Sequence, residues 1–196
     1  MTDDEAYRVT IIDELNRFPN DPEVLVKAGS YFFEPGREPD KAVQLLRRAL
    51  ELDPRNTRAR FWLAKCLFHD FCDYAEAEQV IRDSLQLDPN QPDALSLFDS
   101  VMSDLDRPAE DRIPVLRKAV ELAPDWPLPR LALAQQLFEI GRKSEAKAIA
   151  LVGITRYSGH PPVAVTDPTT GYYEYAVTGR NSPECRAELK SIVESA

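Results

Sequence analysis

The chain repeats itself at a fixed step. "RRALELDPRN" at 47–56 returns as "RDSLQLDPNQ" at 82–91 and as "RKAVELAPDW" at 117–126. Arg47, Arg82 and Arg117 are spaced 35 residues apart, as are Pro54, Pro89 and Pro124, and Pro19 falls on the same ruler one step earlier. Such a period constrains architecture more than any single motif does. Each unit is a small supersecondary element that cannot bury its apolar face alone, so neighbours must stack into one continuous core.

Between successive prolines lie two amphipathic segments and a turn. "NTRARFWLAKCLFHD" carries Phe61, Leu63, Ala64, Leu67 and Phe68 at helical spacing, and "DYAEAEQVIRDSLQLDP" does the same with Ala77, Val80, Ile81, Ser84, Leu85 and Leu87. The link "HDFCDY" is short enough to force a tight helix–helix connection. Gly36 and Gly141 mark the turn in the first and fourth units. In the third unit Pro108 suits a loop and Pro114 the first turn of a short helix. Small residues recur at Ala28-Gly29, Ala64 and Ala134, at Ala42, Ala77 and Ala146, and at Ala49, Ser84 and Ala119. They let helix axes approach closely while Leu46, Ile81 and Leu116 fill the space alongside.

With its small residues and closing proline, the unit resembles the tetratricopeptide repeat. "LAKCLF", "AEAEQVIRDSLQLDP" and "DKAVQLLRRALELDP" lie close to that family's consensus, and the likeness covers about 70% of the chain, roughly residues 20 to 158. The chain departs from the pattern in three places. Its first three units run one residue long, Phe98-Asp99 stands where Leu-Ala is expected, and no closing proline follows Tyr157. The resemblance implies an all-α, right-handed α-α superhelix of about four repeats, over 19–53, 54–88, 89–123 and 124–158. Residues 1–18, with Ala6, Val9, Ile12 and Leu15, read as a capping helix over the N-terminal end.

Composition changes after Tyr157. "VAVT" and "YYEYAV" flank "DPTTG", which predicts a β-hairpin over 163–177 within a C-terminal extension, 159–196. A helix over 183–195 follows, with Leu189, Ile192 and Val193 on one face, expected to close the last repeat. Tyr172, Tyr173 and Tyr175 either anchor the hairpin to the helices or form a secondary interface.

No constellation for chemistry emerges. Cys66, His69 and Cys72 have a Cys-x-x-His-x-x-Cys spacing, but a closed zinc site wants four ligands, and position 72 falls beyond the helix end. His160 has no nucleophile motif beside it, and the carboxylates cluster at helix starts and turns, where they favour the dipole. The expectation is a protein with no catalytic residue, cofactor or metal. A net charge of -9, from 24 basic and 33 acidic side chains, speaks against nucleic acid and anionic lipid as partners. The N-terminus lacks the apolar run of a secretory signal and three cysteines do not make a disulfide framework, which points to a cytoplasmic protein.

The resemblance implies a concave face lined by the first helix of each repeat and offered to a protein or peptide. Its slots fall on Val26, Ser30 and Phe33; on Arg58, Phe61, Lys65, Phe68 and His69; on Ser96 and Ser100; and on Leu131, Gln135 and Phe138. Phe61 and Phe68 beside Arg58 and Lys65 suit a segment with an acidic side chain, unless the aromatics only pack against neighbouring helices. Two functions stand open: a non-catalytic adaptor that binds a partner in this groove, and an acidic inhibitor or immunity-type protein that covers a basic toxin or nuclease. Association of the chain with itself is a further possibility.

Overall fold

Prolines and short polar side chains set the helix boundaries. Asp53, Asp88 and Ala123, each preceding a closing proline, leave the helical region for φ between -140 and -128°. The proline ring clashes with a helical residue before it, so the second helix of each repeat stops there. Asp21 accepts from the amides of Glu23 and Val24, Asn56 from Ala59 and Asp73 from Glu76, satisfying amides that have no partner within their helix.

The computed structural model describes residues 3–34, 37–157 and 183–195. All regular structure among the described residues is helical: α1 (Asp3–Arg17), α2 (Pro22–Phe32), α3 (Pro39–Leu52), α4 (Thr57–His69), α5 (Tyr74–Leu87), α6 (Pro92–Asp104), α7 (Ala109–Leu122), α8 (Pro127–Glu139), α9 (Lys143–Tyr157) and α10 (Pro183–Ser195). The hairpin expected over 163–177 lies outside the described residues. The helices fall into two units, residues 1–89 and 90–196.

In the first unit α2 pairs with α3 and α4 with α5, while α4 also lies against α3 and α2. Gly29 shows why α2 and α3 come so close. A Cβ there would stand 2.6 Å from Leu46 Cγ and 2.8 Å from its Cδ2, and Leu46 is fully buried. α1 packs on α2 through a face other than the one expected. Ile11 is buried, Tyr7 meets the Tyr31 ring edge-on at 5.5 Å, and Glu14 takes the Lys27 ammonium at 2.8 Å, whereas Val9 is half exposed. An aromatic contact and an ion pair decide which side of α1 faces inward, and a count of aliphatic residues does not register either.

In the second unit α6 pairs with α7 and α8 with α9, α7 lies against α8, and α10 covers α9 and α8. Leu116, Leu133, Leu137 and Leu189 form the fully buried centre of this core, with Ile192 and Ile113 beside them. Pro114 is not in the first turn of its helix. α7 already begins at Ala109 and carries the proline inside it on an exposed edge, so a single backbone hydrogen bond of that helix is forgone.

The two units are braced alike. Arg47 pairs with Glu76 at 2.7 Å, and Arg117, 70 residues on, pairs with Glu145. Arg60 donates to the Pro54 carbonyl at 2.5 Å, and Arg130, again 70 residues on, to the Pro124 carbonyl at 3.1 Å. Arg82, in register with Arg47 and Arg117, pairs within its own helix with Glu78 at 2.6 Å.

Gly29→Ala is expected to destabilise the protein by on the order of 1 kcal/mol. Overpacking against buried Leu46 costs about 1–3 kcal/mol, which outweighs the roughly 1 kcal/mol gained in helix propensity. Urea unfolding followed by circular dichroism checks it. The Gly29→Ala/Leu46→Ala double variant should lose less than the sum of the two single changes.

Candidate functional site: an aromatic and cationic row on α4

The site grows from the period of one helix. Ala59, Leu63, Ala64, Cys66 and Leu67 bury one side of α4, which leaves Phe61, Lys65 and Phe68 half-buried on the other and His69 exposed at its last turn. Phe33, just past the end of α2, completes the row. The Lys65 ammonium stands 4.7 Å from the centre of the Trp62 ring, 5.2 Å from that of Phe33 and 5.7 Å from that of Phe61. Phe33 meets Trp62 at 5.8 Å and His69 at 6.0 Å, while Phe68 lies 4.7 Å from His69 and 5.6 Å from Tyr74. One cation is therefore held among three aromatic faces, each such contact being worth about 0.5–1 kcal/mol near a surface. The order this imposes on a long, flexible side chain lowers the entropy cost of using it to bind.

Trp62, absent from the expected slots, is the nearest of these three rings to the ammonium. It sits one position beyond Phe61, off the row that groove spacing picks out, and only 6% of it is exposed. The adjacency of Phe61, Trp62 and Lys65 in "RFWLAK" was the available signal. Arg58 is engaged differently. Its guanidinium lies 3.7 Å from the Glu23 carboxylate, which also accepts the Asn56 amide at 3.0 Å, a contact between the start of α4 and the start of α2.

Other expected residues lie outside this patch. Val26 is fully buried and Ser30 is 2% exposed, its hydroxyl donating to the Lys27 carbonyl at 2.9 Å. In the second unit Ser96 and Ser100 are half-buried, and the Ser100 hydroxyl donates to the Ser96 carbonyl at 3.2 Å. Leu131 belongs to the core that Leu189 and Ile192 of α10 complete, and the Gln135 amide donates to Glu188 of α10 at 2.9 Å. Phe138 is half-buried under the Lys143 ammonium, 5.0 Å from its ring. Thus Phe33, Phe61, Lys65, Phe68 and His69 are gathered into one patch. Tyr172, Tyr173, Tyr175 and His160 lie outside the described residues.

The Cys-x-x-His-x-x-Cys spacing does not converge. Cys66 is buried, His69 is exposed, and Cys72 is exposed beyond the helix end in a left-handed conformation at φ 52°. Burial, with the Asp70 charge adding to it and Lys65 opposing, pushes the Cys66 thiol up to about 12. The thiolate is the reactive form, so Cys66 is chemically silent at neutral pH. Iodoacetamide at pH 8 is expected to label Cys72 in the folded protein and Cys66 only after unfolding, as peptide mass mapping would show.

Known proteins place this geometry in context. The family model for the tetratricopeptide repeat matches residues 37–98. The mouse (Mus musculus) interferon-induced protein with tetratricopeptide repeats 3 is 31% identical over 147 residues, which is 72% of this chain and 36% of the mouse protein. The Dictyostelium discoideum protein STIP1 homolog is 30% identical over 118 residues, 57% of this chain and 19% of its own length. The chain therefore spans about a third or less of these relatives. The crystal structure of YrrB, described as a TPR protein with an unusual peptide-binding site, superposes with a TM-score of 0.67 at 18% identity, covering 93% of this chain and 91% of its own. At that identity the likeness is one of fold.

Proposed function

The chain belongs to the tetratricopeptide-repeat family, and on that premise we propose that it is a non-catalytic interaction module whose partner is a protein or peptide segment. The segment docks on the row formed by Phe33, Phe61, Lys65, Phe68 and His69. The observation that carries this reading is the Lys65 ammonium held among the rings of Phe33, Phe61 and Trp62. Half-buried rings offer apolar area at small entropy cost, and an ordered ammonium offers one charged hydrogen bond beside them. The complementary ligand is a segment with an apolar or aromatic side chain next to a carboxylate. The residues expected further along the groove add little in this picture, since Val26 and Ser30 are buried and Gln135 is engaged by Glu188.

Panning a random peptide-display library against the protein, with Phe61→Glu/Phe68→Glu as the counter-target, tests the reading. Circular dichroism should show that this variant keeps its helix content. Selected peptides are expected to pair an acidic residue with a nearby aromatic or leucine, and to bind the variant at least about tenfold more weakly, the loss of roughly 1.4 kcal/mol that one buried anchor supplies. Lys65→Met should remove the preference for the carboxylate and spare the preference for the apolar residue. Basic peptides that bind both forms equally would refute the α4 site and favour a protein that uses its acidic surface to cover a basic partner.

A further inference from the structure

The third hairpin breaks the rule that the others obey. On the 35-residue ruler Gly29, Ala64, Asp99 and Ala134 share one slot of the first helices, and Ala42, Ala77 and Arg112 share one slot of the second helices. In the first unit both slots hold residues no larger than alanine, and Ala42, Ala64 and Ala77 are fully buried. In α6 and α7 both slots change together. Asp99 and Arg112 replace the small pair and meet each other through two hydrogen bonds, Nε to Oδ1 at 2.9 Å and Nη2 to Oδ2 at 3.3 Å. Both are withdrawn from water, the Asp99 side chain being 8% and the Arg112 side chain 12% exposed.

This exchange has no evident gain in stability. Two charges taken out of water forfeit hydration that their attraction only partly restores, and apolar replacements of such pairs are often neutral or stabilising. Burial accordingly raises the Asp99 carboxyl above the ordinary carboxylate range, with Arg112 opposing. What the pair does supply is discrimination. The second helices are near-copies, "DKAVQLLRRALELDP" in α3 and "AEAEQVIRDSLQLDP" in α5, so a first helix could be offered the wrong one, in its own chain or in a second copy. Mispairing of this kind is a characteristic failure of repeat proteins. α6 set against α3 or α5 would bury the Asp99 carboxylate opposite Ala42 or Ala77. α7 set against α2 or α4 would bury the Arg112 guanidinium opposite Gly29 or Ala64.

We propose that the Asp99–Arg112 pair is a pairing key that makes α6 accept α7 and reject the second helices of the first unit. The key works by penalising wrong partners, since α2 to α5 present only glycine or alanine at the slots where Asp99 or Arg112 would need the opposite charge.

Refolding of the full chain tests this. Wild type, Asp99→Ala/Arg112→Ala and the exchanged pair Asp99→Arg/Arg112→Asp are unfolded in guanidinium and diluted at tens of micromolar. The products are separated by size-exclusion chromatography with light scattering. The double-alanine variant restores the small–small crossing and should regain helix content, yet yield a several-fold larger share of swapped dimers and higher species than wild type. The exchanged pair keeps a unique complement and should refold to the wild-type distribution. The key is overturned if the double-alanine variant refolds to the wild-type distribution, or if both variants give the extra species alike. A double-alanine variant that does not refold would also overturn it, because the pair would then be an ordinary stabilising contact.

Discussion

Close approach of two helices at a missing side chain is the contact on which the rest of this structure depends. Where α2 crosses α3, Leu46 occupies the space that a Cβ on Gly29 would need. The same economy holds in the second hairpin, where Ala64 and Ala77 are fully buried. Close axes let large residues such as Leu46 and Ile81 bury completely, and that burial supplies the favourable free energy of a short hairpin that could not hold alone. It also fixes which side of α4 turns outward. With Ala59, Leu63, Ala64, Cys66 and Leu67 facing in, helical period alone places Phe61, Lys65 and Phe68 on the opposite side.

The fold was legible in the sequence because it depends on residue types that recur at fixed positions. Prolines at a 35-residue step stop second helices through local sterics, and the φ values of Asp53, Asp88 and Ala123 record that stop directly. Small residues mark crossings because nothing larger fits. What escaped the sequence is what a one-dimensional pattern does not weight. The inward face of α1 is chosen by Tyr7, Ile11 and Glu14, two of which a hydrophobic count ignores. Pro114 sits within a helix because its lost hydrogen bond lies on an exposed edge, a matter of orientation that spacing does not report.

The candidate site was legible only in part, for a related reason. Spacing along first helices named Phe33, Phe61, Lys65, Phe68 and His69, and these do gather. It also named Val26 and Ser30, which are buried, and Leu131 and Gln135, which meet α10. Slots carried over from a family describe first helices alone, whereas here α10 packs on α8 and α9 and engages two of those slots. The departure at Asp99 was visible from the start. Its meaning was not, because Arg112 lies 13 residues away and only the packing of α6 on α7 shows that two departures answer each other.

Charge adds a last constraint on any ligand. The chain carries -9 overall, while the Lys65 ammonium at the proposed site is ordered by aromatic rings. An acidic segment approaching from a distance meets net repulsion, screened over about 8 Å at physiological ionic strength. Attraction therefore begins only near contact, where Lys65 is a few ångströms away and the rings exclude water. Such a site gains little from long-range steering and draws its affinity from buried aromatic area and one well-placed hydrogen bond. Discrimination follows from the same geometry. In the proposed mode an apolar residue of the segment buries area on the rings, and a carboxylate beside it adds a charged hydrogen bond to Lys65.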